Sequence, residues 1–420
     1  MAAKIEIEDL LSPRLSEGQR QALAYAEANP VDLTEAGVLD AARARTGLSD
    51  FGPDDFRDRL RRLIEEWNGD GRMYALNRGV LFNYALRHAS NRLLIQAVLT
   101  RHPEVHEERV ERPIIVVGLP RSGTTHLLNL LGADSRLRST PLWEVYEPLP
   151  IPGEAAGPDG VDPRYARCAA VWEMMRKSSP LSAAMHPMDP DHFHEDLELM
   201  GPDFASYNYE WLSRVPKWRD YYCETDQTPH YEYMKTAFKI LQWRAGGTRR
   251  RWVVKCPQHL EQLPVLRRVF PDATVAITYR DPVEVIQSAI TMMGHAERMR
   301  YPTIDAQGLL DYWTDRVERL LRACVRDRHV WPDAQSVDVP FDAFMADEMG
   351  MVRQIHRKAG LPQSDAADRE IADFIAHHPR GKFGQVSYNL KRDFGVDPHA
   401  LRARFGFYFD AFPFLRKPEG

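Results

Sequence analysis

Hydrophobic positions along this chain follow two different patterns. Up to about residue 110 they recur at helical spacing, so that residues 22–28, 38–44, 51–67 and 73–99 each read as a helix. The last carries Leu81, Tyr84, Ala85, His88, Leu93, Leu94 and Val98 along one stripe, and Ser16 and Thr34 stand where the first two helices need N-caps. From Pro113 onward the apolar residues gather into short runs at 114–117, 252–254, 273–279 and 336–339. Helical patterns follow at 126–131, closed by Gly132, and at 283–293 and 341–358. Short buried strands alternating with helices predict an α/β fold with a parallel sheet flanked by helices. Residues 1–110 read as a helical N-terminal cap and 111–420 as the α/β domain.

A long insertion, residues 148–249, separates the first strand–helix pair from the second. It is dense in large side chains, among them Trp172, Met174, Met175, Tyr207, Tyr209, Trp211, Trp218, Tyr221 and Tyr222. Such residues in helical segments are mostly core, but some are expected to shape a pocket for a bulky apolar molecule.

The first strand runs directly into Gly118-Leu119-Pro120-Arg121-Ser122-Gly123-Thr124-Thr125. A strand ending in a glycine-bearing turn that opens a helix leaves backbone N–H groups unpaired, and the helix dipole adds positive potential there. The glycine spacing is that of a P-loop, and the sheet is therefore expected to be P-loop-like. Thr124, however, stands where a triphosphate-binding loop has its lysine. A phosphate-containing ligand other than ATP or GTP is the reading that fits. Arg121 adds a forked cation suited to phosphate oxygens. A second basic feature follows the strand at 273–279: Arg280, then Asp281 and Glu284 in capping-box spacing, Pro282 at the first helical position, and Ser288 two turns in.

The string Pro120-Arg121-Ser122-Gly123-Thr124-Thr125 resembles the 5′-phosphosulfate loop of sulfotransferases that use 3′-phosphoadenosine 5′-phosphosulfate (PAPS), in particular a bacterial branch that is also similar to the tyrosylprotein sulfotransferases. The resemblance implies that Arg280 and Ser288 hold the donor's 3′-phosphate. It also matches a late basic segment, Arg380-Gly381-Lys382, to a loop over the nucleotide. The implied activity is transfer of a sulfuryl group from PAPS to a small alcohol or phenol, leaving adenosine 3′,5′-bisphosphate and requiring no metal. A P-loop kinase or NTPase, or a non-catalytic PAPS-binding protein, is the alternative.

The transfer needs a base for the acceptor hydroxyl and positive charge at the leaving oxygen. Glu144, beside Leu142 and Trp143 after the phosphate-loop helix, is the first candidate base, with Glu147 close behind. Lys255 ends the strand at 252–254, at the edge of the sheet where open α/β folds bind ligands. It resembles the lysine that neutralises the bridging oxygen in the tyrosylprotein branch. His186, His194 and Glu195 read as acceptor-side residues, with His186 and His194 as reserve bases. The His192-x-His194 pair with Glu195 and Asp196 has the residue types of a metal site but no fixed third ligand.

Composition narrows the field further. A net charge of −5 and a pI near 6.3 give no electrostatic footprint for nucleic acid. Cys168, Cys223, Cys256 and Cys324 show no paired spacing. Lys4, Glu6, Glu8 and Asp9 break up the N-terminal apolar residues, and no apolar run reaches membrane-spanning length. The expectation is a cytoplasmic protein.

Overall fold

The computed structural model describes residues 4–157, 159–186, 188–246, 250–379 and 384–416. Its centre is a five-stranded sheet of β1 (Ile114–Gly118), β2 (Leu137–Arg138), β3 (Arg251–Lys255), β4 (Thr274–Tyr279) and β5 (Ser336–Pro340). All pairings are parallel, in the order β2-β3-β1-β4-β5. β1 lies in the middle because it is apolar on both faces. Ile115 and Val117 pack with Trp252, Val254, Val275 and Ile277, whereas Ile114 and Val116 pack with Val253, Ala276, Val339 and helical Leu127 and Leu131. Val116 pairs with Lys255 and Gly118 with Thr278, so the phosphate loop, Lys255 and the Arg280 turn leave the sheet along one edge.

The N-terminal cap and the insertion share one core. Val38, Phe56, Leu60, Trp67, Leu81 and Ala85 pack against Phe204, Tyr209, Trp218 and Tyr222. Beneath them the buried Asp203 carboxylate takes hydrogen bonds from Arg59 at 2.7 Å, Arg92 at 2.9 Å and His230 at 2.5 Å. Burying this acid is tolerable because each of its oxygens is met by a cationic or imidazole donor.

Several predicted elements shift, each for a local reason. The helix expected from residue 51 starts at Phe56, after the turn containing Pro53. The span 341–358 is two helices, Phe341–Ala346 and Glu348–Lys358, because the Asp347 side chain accepts from Gly350 N at 2.8 Å and starts a new helix. At the helix Pro282–Glu297 Asp281 does cap, accepting from Val283 N at 3.0 Å. The reciprocal half of the expected capping box is missing, since Glu284 is taken by Arg280 at 3.0 and 2.9 Å. Short strands at Lys4–Ile5 and Gln385–Val386 pair with each other, and neither carries enough apolar pattern to read in sequence. Among the described residues no helix is long and apolar enough to cross a membrane.

Candidate active site

The phosphate loop is held open by its backbone geometry. Gly118 approaches β4 so closely that a Cβ there would overlap Thr278 Oγ1. Gly123 sits at φ +87° and opens the helix Thr124–Gly132 without a side-chain cap. The first helical N–H groups are therefore left for a ligand. Pro120, Arg121, Gly123, Thr124 and Thr125 all line one cavity of about 750 Å³. Ser122 does not: its hydroxyl bonds Leu119 O at 2.5 Å and Thr278 Oγ1 at 2.6 Å, and its N–H also returns to Leu119 O. It ties the loop to the sheet.

Arg121 joins the two expected phosphate sites. Its backbone is left-handed at φ +66°, a conformation that costs a non-glycine residue about 1–3 kcal/mol. Three tertiary hydrogen bonds hold it there. Its guanidinium donates to Ser288 Oγ at 3.0 Å and to Met185 O at 2.7 Å, and its carbonyl accepts from Arg280 Nη1 at 2.6 Å. Arg280 also lies over the Phe341 ring, 4.2 Å from its centroid, and bonds Glu284. Arg280 lines the cavity, whereas Ser288 is buried behind Arg121. Phe341 was legible only as a helix start, yet it borders Gly123 as well as Arg280. Its position just past β5 is the one signal that pointed to it. Arg380, Gly381 and Lys382 lie outside the described residues.

Lys255 is 1% exposed at the end of β3 and donates to Thr125 Oγ1 at 2.9 Å and to the Glu195 carboxylate. One ammonium group thus bridges the phosphate-loop helix to the acidic residue expected on the acceptor side. The segment carrying Glu195 is fastened on several sides. His194 N donates to Thr140 O at 3.0 Å, Asn129 Nδ2 to Phe193 O at 3.3 Å, and Asp196 N to Lys255 O at 3.2 Å. His186 and His194 join Glu195 in the cavity wall. Burial holds both imidazoles well below the usual histidine range, reinforced by Arg121 and Lys255 at His186 and by Lys255 at His194, and burial lowers His192 to about 4. All three are neutral at pH 7. His194 Nδ1 and His192 Nε2 are buried without a hydrogen-bond partner.

Glu144 is placed elsewhere. On the short helix Leu142–Tyr146 it pairs with Arg138 at 3.0 Å, and Arg138 in turn bonds Leu241 O and stacks on Trp252. Neither Glu144 nor Glu147 lines the cavity. Glu147 is bound by Arg45 at 2.8 Å and by Arg167. From that helix the cavity receives Tyr146 instead, because a five-residue helix can turn only one side inward.

Part of the cavity wall is apolar and aromatic, formed by Met185, Met188, Met292, Trp172, Trp211 and Phe374. The one close group of potential metal ligands among the described residues is Asp196, Cys256 and His259. Both His259 nitrogens are already engaged, by Tyr231 Oη at 2.8 Å and Asp196 Oδ2 at 3.1 Å, so this cluster reads as a buried polar network.

A parallel α/β sheet with an anion loop at its edge and a large cavity beside it is the arrangement of a protein that binds a phosphate-bearing ligand at the carboxyl ends of its strands. The chain belongs to the sulfotransferase family, whose pattern it matches over residues 113–365. It is 22% identical over 293 residues to the omega-hydroxy-beta-dihydromenaquinone-9 sulfotransferase Stf3 of Mycobacterium bovis, covering 68% of this chain and 72% of that one. The crystal structure of sulfotransferase STF1 from Mycobacterium tuberculosis superposes with a TM-score of 0.77 at 27% identity, over 89% of this chain and 98% of that one. STF9 from Mycobacterium avium gives 0.78 at 27% identity, over 89% and 95%. The protein is a sulfotransferase.

Proposed function

We propose that the protein transfers the sulfuryl group of PAPS to a hydroxyl of a small hydrophobic alcohol or phenol. The observation that carries this reading is Arg121, bonded at once to Ser288 and to Arg280 through its own carbonyl. The loop suited to a 5′-phosphosulfate and Arg280, suited to a 3′-phosphate, are thereby one connected surface, with Ser288 supporting Arg121 from behind. A triphosphate site gains nothing from the second half. The hydrophobic acceptor is supported by the methionine and tryptophan wall and by the hydroxylated quinone that the Mycobacterium bovis relative's name specifies.

In this reading Glu195, rather than Glu144, is the base. It stands in the cavity wall beside Lys255, whereas the Glu144 carboxylate is occupied by Arg138 outside it. As the acceptor oxygen forms its bond to sulfur, Glu195 takes the hydroxyl proton and the bond from sulfur to the 5′-phosphate oxygen breaks. Lys255, released from Glu195, and the N–H groups of Thr124 and Thr125 meet the charge that develops on the departing phosphate. His194, neutral and with an unpartnered Nδ1, is the second candidate for the proton.

Calorimetry with adenosine 3′,5′-bisphosphate tests the donor, and radiolabelled PAPS with a set of alcohols tests the transfer. The expected result is bisphosphate binding that weakens in Arg280→Ala, and labelled product. Binding of ATP–Mg²⁺ in place of the bisphosphate would falsify the reading.

A further inference from the structure

The acceptor cavity contains a polar anchor that sulfuryl transfer by itself does not require. Asn208, Trp211 and Leu212 lie at helical spacing on the short helix Asn208–Leu212 and all three line the cavity. The Asn208 amide is fixed from behind. Its Nδ2 donates to Glu198 Oε1 at 2.9 Å and to Tyr84 Oη at 2.5 Å. Tyr84 Oη donates to the same Glu198 oxygen at 3.1 Å, and Arg87 Nη2 donates to Glu198 Oε2 at 2.7 Å. Burial raises the Glu198 pKa, but the Arg87 guanidinium at 2.7 Å favours its carboxylate, which only accepts, so the amide nitrogen is the atom that faces Glu198. Both of its hydrogens are thereby used. The carbonyl Oδ1 is left without a protein partner among the described residues, in a side chain that borders the cavity.

Glu198 is fully buried and stands in the cavity wall directly behind Asn208. Its function is to orient Asn208, and it is held for that purpose by Tyr84 and Arg87 of the cap helix Ala75–Arg101. Trp211 and Leu212 beside Asn208 offer nothing polar in that direction except the indole N–H. A bound apolar group laid over Oδ1 would strip it of water without replacing the hydrogen bond, which is costly.

From this geometry we infer that Asn208 is a specificity-determining residue, and that the sulfuryl acceptor carries a second hydrogen-bond donor, an O–H or N–H, besides the hydroxyl that reacts. The inference rests on the sulfuryl-transfer reading above. It deepens that reading by assigning the acceptor to a diol, hydroquinone or hydroxy-amide class. Glu198 is a positioning residue, acting through the Asn208 amide.

The test uses the full chain, radiolabelled PAPS and matched acceptor pairs: hydroquinone with its monomethyl ether, and dodecanediol with its monomethyl ether. The donor-bearing member is expected to have a kcat/KM about tenfold higher, after the twofold allowance for two equivalent hydroxyls, the size of one neutral hydrogen bond. Asn208→Leu should remove that preference, so that kcat/KM becomes equal within each pair, with bisphosphate affinity in place. Glu198→Gln should reduce it, because a carboxamide lets the Asn208 amide turn over. Equal rates within each pair, a preference that survives Asn208→Leu, or a loss shared equally by both members would overturn the inference. So would bisphosphate binding with no labelled product from any pair. Failure to bind bisphosphate at all would instead overturn the donor reading beneath it.

Discussion

The two halves of the cavity are built by different means. The donor side is made from two short stretches of chain, residues 118–125 and 280–288, each a strand end followed by a helix start. The groups it offers to an anion are backbone N–H groups and two arginines, and adjacent strands bring the stretches together. The acceptor side has no such economy. Tyr146, Trp172, Glu195, Asn208 with Trp211, Met292 and Phe374 come from six separate places in the sequence. Behind them stand Tyr84 and Arg87 from the N-terminal cap, more than a hundred residues from the Glu198 they hold. An anion cradle is a property of local backbone geometry, whereas the shape and polarity of a pocket belong to packing.

That contrast can be broken first where the halves meet. Glu195→Gln or Lys255→Ala should lower kcat by about a thousandfold, within the range for loss of a general base or of a charge at the leaving group, with bisphosphate affinity within about threefold of wild type. Turnover and calorimetry on the same preparations check this.

Next comes the cap. Arg87→Met should destabilise the fold by about 3 kcal/mol, because it leaves the wholly buried Glu198 carboxylate without its cation. The double variant Arg87→Met with Glu198→Gln should recover part of that loss in chemical denaturation. Recovery would show that the cost is the uncompensated charge and not lost packing.

Arg121→Ala should weaken bisphosphate binding about 10- to 100-fold, the size of one or two charge-assisted hydrogen bonds, with a smaller change in melting temperature. The donor side would then be shown to tolerate loss of a binding residue without losing the fold.

The acidic limb of the stability curve reports on the acceptor side. In the folded protein His186, His192 and His194 have lowered pKa values, with His192 at about 4, so the unfolded chain binds more protons at mildly acidic pH. Stability should therefore fall as the pH drops from about 6.5 toward 4 and be flat with respect to these groups above 7. His192→Gln should flatten that limb in a denaturation series.

The smallest effect is expected at Glu144. Held by Arg138 outside the cavity, Glu144→Gln should change kcat by no more than about threefold, against the large loss at Glu195. Equal losses at the two positions would return Glu144 to the mechanism.

Much of this fold is written in local patterns. Runs such as 114–117 and 273–279 are readable as buried strands because both of their faces are apolar. Their alternation with helices left little choice but a parallel sheet. The strand Leu137–Arg138 is two residues long and carries no such pattern, so it emerges only from its pairing with β3. The phosphate loop was legible for the same reason as the strands: glycine spacing and a helix start fix where the N–H groups point. Glu144 lies off the cavity: its apolar neighbours Leu142 and Trp143 mark burial without marking direction. Only the fold shows that the cavity side of that helix belongs to Tyr146.

The chain by itself therefore determined the sheet, the anion cradle, the missing loop lysine and the family these imply, since each depends on residues within a few positions of one another. The tertiary structure decided which carboxylate lines the cavity, how Arg121 connects the glycine-bearing loop to the Arg280 turn, and what the cavity wall presents. Those outcomes depend on contacts between residues such as Lys255 and Glu195, or Arg87 and Glu198. Sixty and more positions separate the partners, and nothing local specifies that they meet.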